Sequence, residues 1–168
     1  RDGEKVVVKI LSYPPLRRPD GEVIEVLGYP DESGVDVLSI IRSYDLHEEF
    51  PHAVTEEAAA VPDSVRPEML EGRKDFRDEL IITIDGDDSR DFDDAVTVRK
   101  LDNGQWRLGV HIADVAEYVR AGSKLDREAY SRGTSVYFPD RVLPMLPEKL
   151  SNGICSLNEG EDRLTLSV

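Results

Sequence analysis

Cysteine is nearly missing from this chain: 168 residues contain one, Cys155. A single thiol excludes a disulfide framework and a cysteine-built zinc site. No apolar run approaches the ~20 residues that span a bilayer, and no signal-peptide core is present. Histidine occurs three times, at His47, His52 and His111, too scattered to form an evident ligand set. There is no G-x-S-x-G elbow, no glycine-rich phosphate loop and no H-E-x-x-H. Basic residues are also scarce, with 21 Lys and Arg against 35 Asp and Glu and a formal net charge of −14. Taken whole, that balance argues against a nucleic-acid surface. The absences predict a chain with no membrane partner in a reducing, cytoplasmic setting, and 39% hydrophobic residues suffice for a core. The chain opens on Arg1 rather than methionine, so it is expected to be a piece of a longer protein.

What is present is unevenly placed. Asp75 to Asp94 holds nine acidic residues against Arg77 and Arg90, half of the net charge, whereas His111 to Gly153 carries six acids and six bases. The β-branched run VVVKI at Val6 and the segment EVIEVLGYP after Gly21 predict two strands joined by a Pro- and Arg-containing loop. Two strands alone are not independently stable, so further partners are expected elsewhere. Gly34 releases a helical pattern with Val35, Leu38, Ile41 and Tyr44 on one face. Pro51 and Pro62 bracket a short segment, and Pro67 opens another, EMLEGRKDF. LIITI at Leu80 to Ile84 predicts a buried strand ending at Asp85. Ala95 to Leu101 and Trp106 to Ala113 alternate around Asp102-Asn103-Gly104, a hairpin signal. Ser123-x-x-Asp126 is a capping box for a helix that Gly133 ends. The class is mixed α/β with hairpins, without a regular βαβ rhythm.

The acidic block has a pattern. Asp85 follows one predicted strand, while Asp91, Asp93 and Asp94 precede the next. Four carboxylates within ~4 Å of one another repel by several kcal/mol per pair at an effective dielectric near 20. A fold that gathers them needs divalent cations, and all-oxygen donors suit Mg²⁺ or Mn²⁺. The competing reading is a solvated acidic turn. A calcium-binding EF-hand fails on the letters: a loop begun at Asp85 puts Arg90 where Gly is required and Val96 where Glu is required. His111, in an alternating strand, is expected to be a hydrogen-bonded structural histidine, and Cys155 a small core residue.

Three segments in order then carry a resemblance: TIDGDDSRDFDDAV, GVHIADVAEYV and RGTSVYFPDRVLPMLPEKLSNGICSLN. They resemble the opening of the RNB catalytic domain of the ribonuclease II/ribonuclease R family, over roughly Arg73 to Val168. The preceding region resembles the end of the family's second cold-shock domain. The implied architecture is mixed α/β: an N-terminal part of an RNB catalytic domain, preceded by the last strands of an OB-type (cold-shock) β-barrel and a helical connector. The expected boundaries are 1–30 for the barrel strands, 31–74 for the connector and 75–168 for the RNB part.

The resemblance implies a hydrolytic, processive 3′→5′ exoribonuclease that takes single-stranded RNA 3′ ends to 5′-mononucleotides. It implies dependence on Mg²⁺, with Mn²⁺ as the alternative. Asp85, Asp91, Asp93 and Asp94 match the family's four-aspartate metal site, with Asp93 at the position most critical for catalysis. Tyr137 matches a tyrosine that stacks on a base near the 3′ end, a contact open to any sequence because every base has a π-face. Asp114 is expected to be a loop or helix cap near the site, Asp87 and Asp88 solvated, and Arg141 and Lys149 surface charges. The family's clamping arginine, second aromatic and carboxy-terminal RNA-binding domain are expected outside this piece, which is itself expected to be inactive. The alternative function is a catalytically inert RNB-like module that binds RNA or protein.

Overall fold

A computed structural model describes residues 2–168. The chain divides into two compact units, residues 1–49 with 138–141, and residues 50–137 with 142–168.

In the first unit, β1 (Lys5–Ser12) pairs antiparallel with β2 (Asp20–Gly28), with register shifts at three points. Helix α1 (Val35–Ser43) follows Gly34, whose φ of 84° suits a residue without Cβ. Arg42 near the end of α1 forks onto Glu25 of β2, Nε to Oε2 at 2.7 Å and Nη2 to Oε1 at 2.9 Å. Its Nη1 donates to Glu48 at 2.5 Å. Tyr44 leaves the expected helix face, because the helix stops at Ser43 and the ring is exposed.

The second unit is built around an apolar cluster that includes Val54, Leu125, Leu146, Leu150 and Ile154. Helix α2 (His52–Ala60) begins after Pro51, and Pro67 opens only a single 3₁₀ turn to Leu70, shorter than its sequence pattern predicts. The hairpin β3 (Asp94–Lys100) and β4 (Trp106–Ala113) forms as expected, with Gly104 at φ 81° in its turn. After the short helix α3 (Val115–Tyr118) comes α4 (Lys124–Arg132), where Ser123 Oγ accepts from the Asp126 amide at 3.1 Å and Gly133 closes the helix. β5 (Val136–Tyr137) pairs with β6 (Val142–Leu143), and an irregular helical segment spans Lys149–Ile154. β7 (Thr165–Ser167) completes a three-stranded sheet in the order β3-β4-β7.

Two sequence expectations are corrected here. LIITI is not a buried strand: Ile82 alone bridges Val96, while Leu80 and Ile84 are more than 80% exposed. One bridge cannot hold a ladder, and an apolar run with no continuing partner stays an extended loop. Asp85 therefore lies in a loop rather than at a strand end. In the sheet, alternation is present but the apolar face is the open one. Val98, Leu108 and Ile112 are 46–61% exposed, whereas Ala95, His111 and Ala113 on the other face are buried.

Candidate active site

The loop before β3 is held by one hydroxyl. Ser156, fully buried, donates from Oγ to the Arg90 carbonyl at 2.7 Å and accepts from the Phe92 amide at 3.0 Å. The Leu157 amide donates to the Phe92 carbonyl at 2.9 Å, and the Ala113 amide to the Asp93 carbonyl at 2.9 Å. Asp91 is thereby pinned by the backbone on both sides of it, and Asp94 enters β3 opposite Ile112. Arg163 Nε donates to the Ser156 carbonyl at 2.7 Å and fixes the residue that does the pinning.

Three of the four expected aspartates act by charge on the fourth, Asp93. Asp93 keeps an exposed surface, yet the protein packed around it is the largest influence raising its carboxyl above the usual range. The carboxylates of Asp91, Asp94 and Asp85 push it further in the same direction. Among the described residues, no three His, Cys, Asp or Glu side chains are drawn into a metal-ligand set. As a donor set the four aspartates supply oxygen only, which fits a hard divalent cation rather than a soft one.

Tyr137, 61% exposed on β5, donates its hydroxyl hydrogen to Asp91 Oδ2. That bond, with burial and the charges of Asp91 and Asp93 behind it, pushes the phenol up to about 12. The tyrosine expected to meet substrate is thus placed directly against the carboxylate centre. Asp87 and Asp88 are exposed, as expected. Lys149 Nζ donates to the Ala59 carbonyl at 2.8 Å and stands 3.3 Å from Asp63, while Arg141 pairs with Asp140.

Asp114 stands at the N-cap position of α3, as expected, although its side chain makes no cap bond. It is 7% exposed and accepts from Arg73 Nη2 at 2.7 Å, with Glu117 at 3.2 Å from the same nitrogen. A buried carboxylate needs such a partner, and the bond holds the Arg73 guanidinium firmly charged. Sequence reasoning missed this pair and Ser156. The available signal was a serine between Cys155 and Leu157 in an otherwise apolar stretch.

Two family models match the chain. The RNB domain profile matches residues 73–168, and the cold shock domain profile matches residues 1–51. Ribonuclease R of Thermotoga maritima is 56% identical over 171 residues, covering 100% of this chain and 24% of that protein. The structure of Mycoplasma genitalium RNase R in complex with double-stranded RNA superposes with a TM-score of 0.88 at 33% identity, over 98% of this chain and 29% of that one. Yeast Ssd1, a pseudonuclease, matches with a TM-score of 0.76 at 26% identity, over 98% of this chain and 21% of that one. The chain spans about a quarter of the length of such relatives. Among the described residues, no helix is long and apolar enough to cross a membrane. With more than half its length matched by one domain, preceded by a cold shock match, the chain belongs to the RNB-domain family.

Proposed function

We propose that this chain carries the carboxylate centre of a cytoplasmic, hydrolytic 3′→5′ exoribonuclease that degrades single-stranded RNA processively to 5′-mononucleotides. The carrying observation is that Asp91, Asp94 and Asp85 all bear by charge on the carboxyl of Asp93, inside the segment that matches the RNB domain. Asp85, Asp91, Asp93 and Asp94 hold Mg²⁺, or Mn²⁺ in its place. Bound there, a pair of such ions supplies an activated water and charge stabilisation at the leaving oxygen. The products define the bond balance: the water oxygen bonds to phosphorus, the P–O3′ bond breaks, and O3′ leaves as the new 3′-hydroxyl of the shortened strand. Tyr137 offers a face for the terminal base, and its hydroxyl orients Asp91.

The likeness to a pseudonuclease motivates a second reading, an inert RNA- or protein-binding module. Both are tested in the longer protein that contains this chain, with a labelled oligoribonucleotide. Asp93→Asn is expected to leave RNA affinity within a few-fold and to lower mononucleotide release by two or more orders of magnitude. Absence of release from the unsubstituted protein supports the inert module. Undiminished release by the Asn variant shows the chemistry to lie elsewhere.

A further inference from the structure

Away from the aspartates, the β3-β4-β7 sheet has a cavity of about 230 Å³. Its floor is the sheet face bearing Thr97, Arg99, Arg107 and His111, and Lys74 and Phe76 line it from the preceding loop. None of these residues belongs to the carboxylate centre.

The charges here run against the chain. Arg99 and Arg107 stand directly opposite each other in the β3-β4 register, a like-charge pairing that weakens a sheet. Arg99 has a loose 3.7 Å approach to Glu79. Lys74 Nζ lies 4.9 Å over the Phe76 ring, and the Arg107 side chain has no hydrogen bond or ion pair among the described residues. Three cations face the Glu79 carboxylate and the terminal carboxylate of Val168. That leaves one formal positive charge, or two once the terminal carboxylate is moved away, in a chain whose net charge is −14.

The polar floor adds a neutral donor. His111 is buried, with Nε2 2.9 Å from Thr97 Oγ1 and Nδ1 2.8 Å from Ser167 Oγ. A neutral imidazole donates from one nitrogen and accepts at the other. With the hydrogen on Nδ1, Ser167 Oγ accepts it and has its own hydrogen for Thr165 Oγ1, 3.0 Å away, or for a ligand. With the hydrogen on Nε2, Thr97 Oγ1 accepts it and keeps its own for a ligand. The His111 ring lies close over Gly109, where an added Cβ would stand 3.1 Å from Nε2 and the ring would have to give by a few tenths of an ångström.

We propose that this cavity is a phosphate-binding site. Its volume lies below the ~300–1,000 Å³ that enclose a drug-sized ligand, so it takes a phosphate group rather than a whole nucleoside. Arg107 and Arg99 present planar donor forks of the kind that grip phosphate oxygens, and Lys74 adds a point charge. The phosphate comes either from a free ion or mononucleotide, or from the backbone of an RNA strand. The site does not depend on the proposed nuclease activity.

The test is calorimetric titration of inorganic phosphate into the chain, with a short Gly-Ser tail after Val168 so that no terminal carboxylate stands at the cavity. EDTA in the buffer keeps divalent ions from the aspartates. Saturable binding is expected, weakened about tenfold or more by Arg107→Gln and by Lys74→Gln, and strengthened by Glu79→Gln. Circular dichroism verifies that each variant is folded, and Lys74→Gln, a loop substitution, serves if Arg107→Gln unfolds. Displacement of phosphate by a short oligoribonucleotide assigns the strand backbone as the source. Displacement by 5′-AMP alone assigns a free nucleotide, and either result supports the site. No saturable binding, or equal affinity in the chain and both Gln variants, overturns it.

Discussion

The phenolic oxygen of Tyr118 is buried without a hydrogen-bond partner among the described residues. Leaving such a group unpaired costs about 1–3 kcal/mol of desolvation. Tyr118→Phe keeps the ring in the core and deletes the orphan, so it is expected to raise stability by about 1 kcal/mol in urea denaturation at pH 7. Burial also pushes the Tyr118 phenol up to about 12, helped by the neighbouring Cys155, whose own thiol burial pushes up to about 12. Both groups hold their protons more tightly folded than unfolded. Their contribution is therefore complete below the unfolded values, near 9 for the thiol and 10 for the phenol, and is lost as pH rises towards 12. Stability should fall across that window, less steeply in Tyr118→Phe, and an unchanged alkaline slope would remove Tyr118 from this account. The neutral, buried thiol matches its sequence reading as a core residue. A serine between Cys155 and Leu157 hints at a buried hydroxyl, but its two partners are not legible, because accepting from one amide and donating to one carbonyl leaves no periodic trace in a sequence.

Elements with local signals were the ones readable in advance. The Asp102-Asn103-Gly104 turn, the Ser123 cap and the Gly133 stop depend on backbone chemistry within a few residues, and each forms. The exposure of the β3-β4-β7 face was not readable, since alternation establishes that two faces differ but not which is covered. LIITI was misread for a related reason: β propensity describes a fit to neighbours, and only Ile82 has a ladder neighbour. The sheet and the core should then respond differently to the same kind of change. Leu108→Ala, on the open face and 61% exposed, should cost under about 0.5 kcal/mol. Leu150→Ala, fully buried in the central cluster, should cost about 2–5 kcal/mol. Ser156→Ala removes both bonds that hold the aspartate loop and should cost about 1–3 kcal/mol. It should also weaken divalent-ion affinity, because the loop that presents Asp91 and Asp93 is released. Thermal melts with and without Mg²⁺ read both effects, and a variant with unaltered melts would separate Ser156 from the site.

At the scale of the molecule, an acidic chain has to be reconciled with the RNA substrate proposed for it. Half of its −14 lies in Asp75 to Asp94, where the proposed ions would neutralise it. That makes metal binding and RNA turnover separable in this chain. Bringing carboxylates together costs repulsion that a bound cation offsets, so Mg²⁺ or Mn²⁺ should stabilise the folded chain by mass action, by about 2.7 kcal/mol at a hundredfold excess over Kd. Asp91→Asn should abolish most of that gain. Hydrolysis demands more, because the scissile phosphate must be positioned as well as neutralised, and positioning alone can supply several kcal/mol of the barrier. The relatives bring about four times the length of this chain to that task. We expect the 168-residue chain to show the metal-dependent rise in melting temperature and yet release no mononucleotide from an oligoribonucleotide that the longer protein is proposed to degrade. Release by the chain alone would mean that its own residues suffice to grip the strand. A chain without the metal-dependent rise would mean that the four aspartates do not hold ions without the remainder of the protein around them.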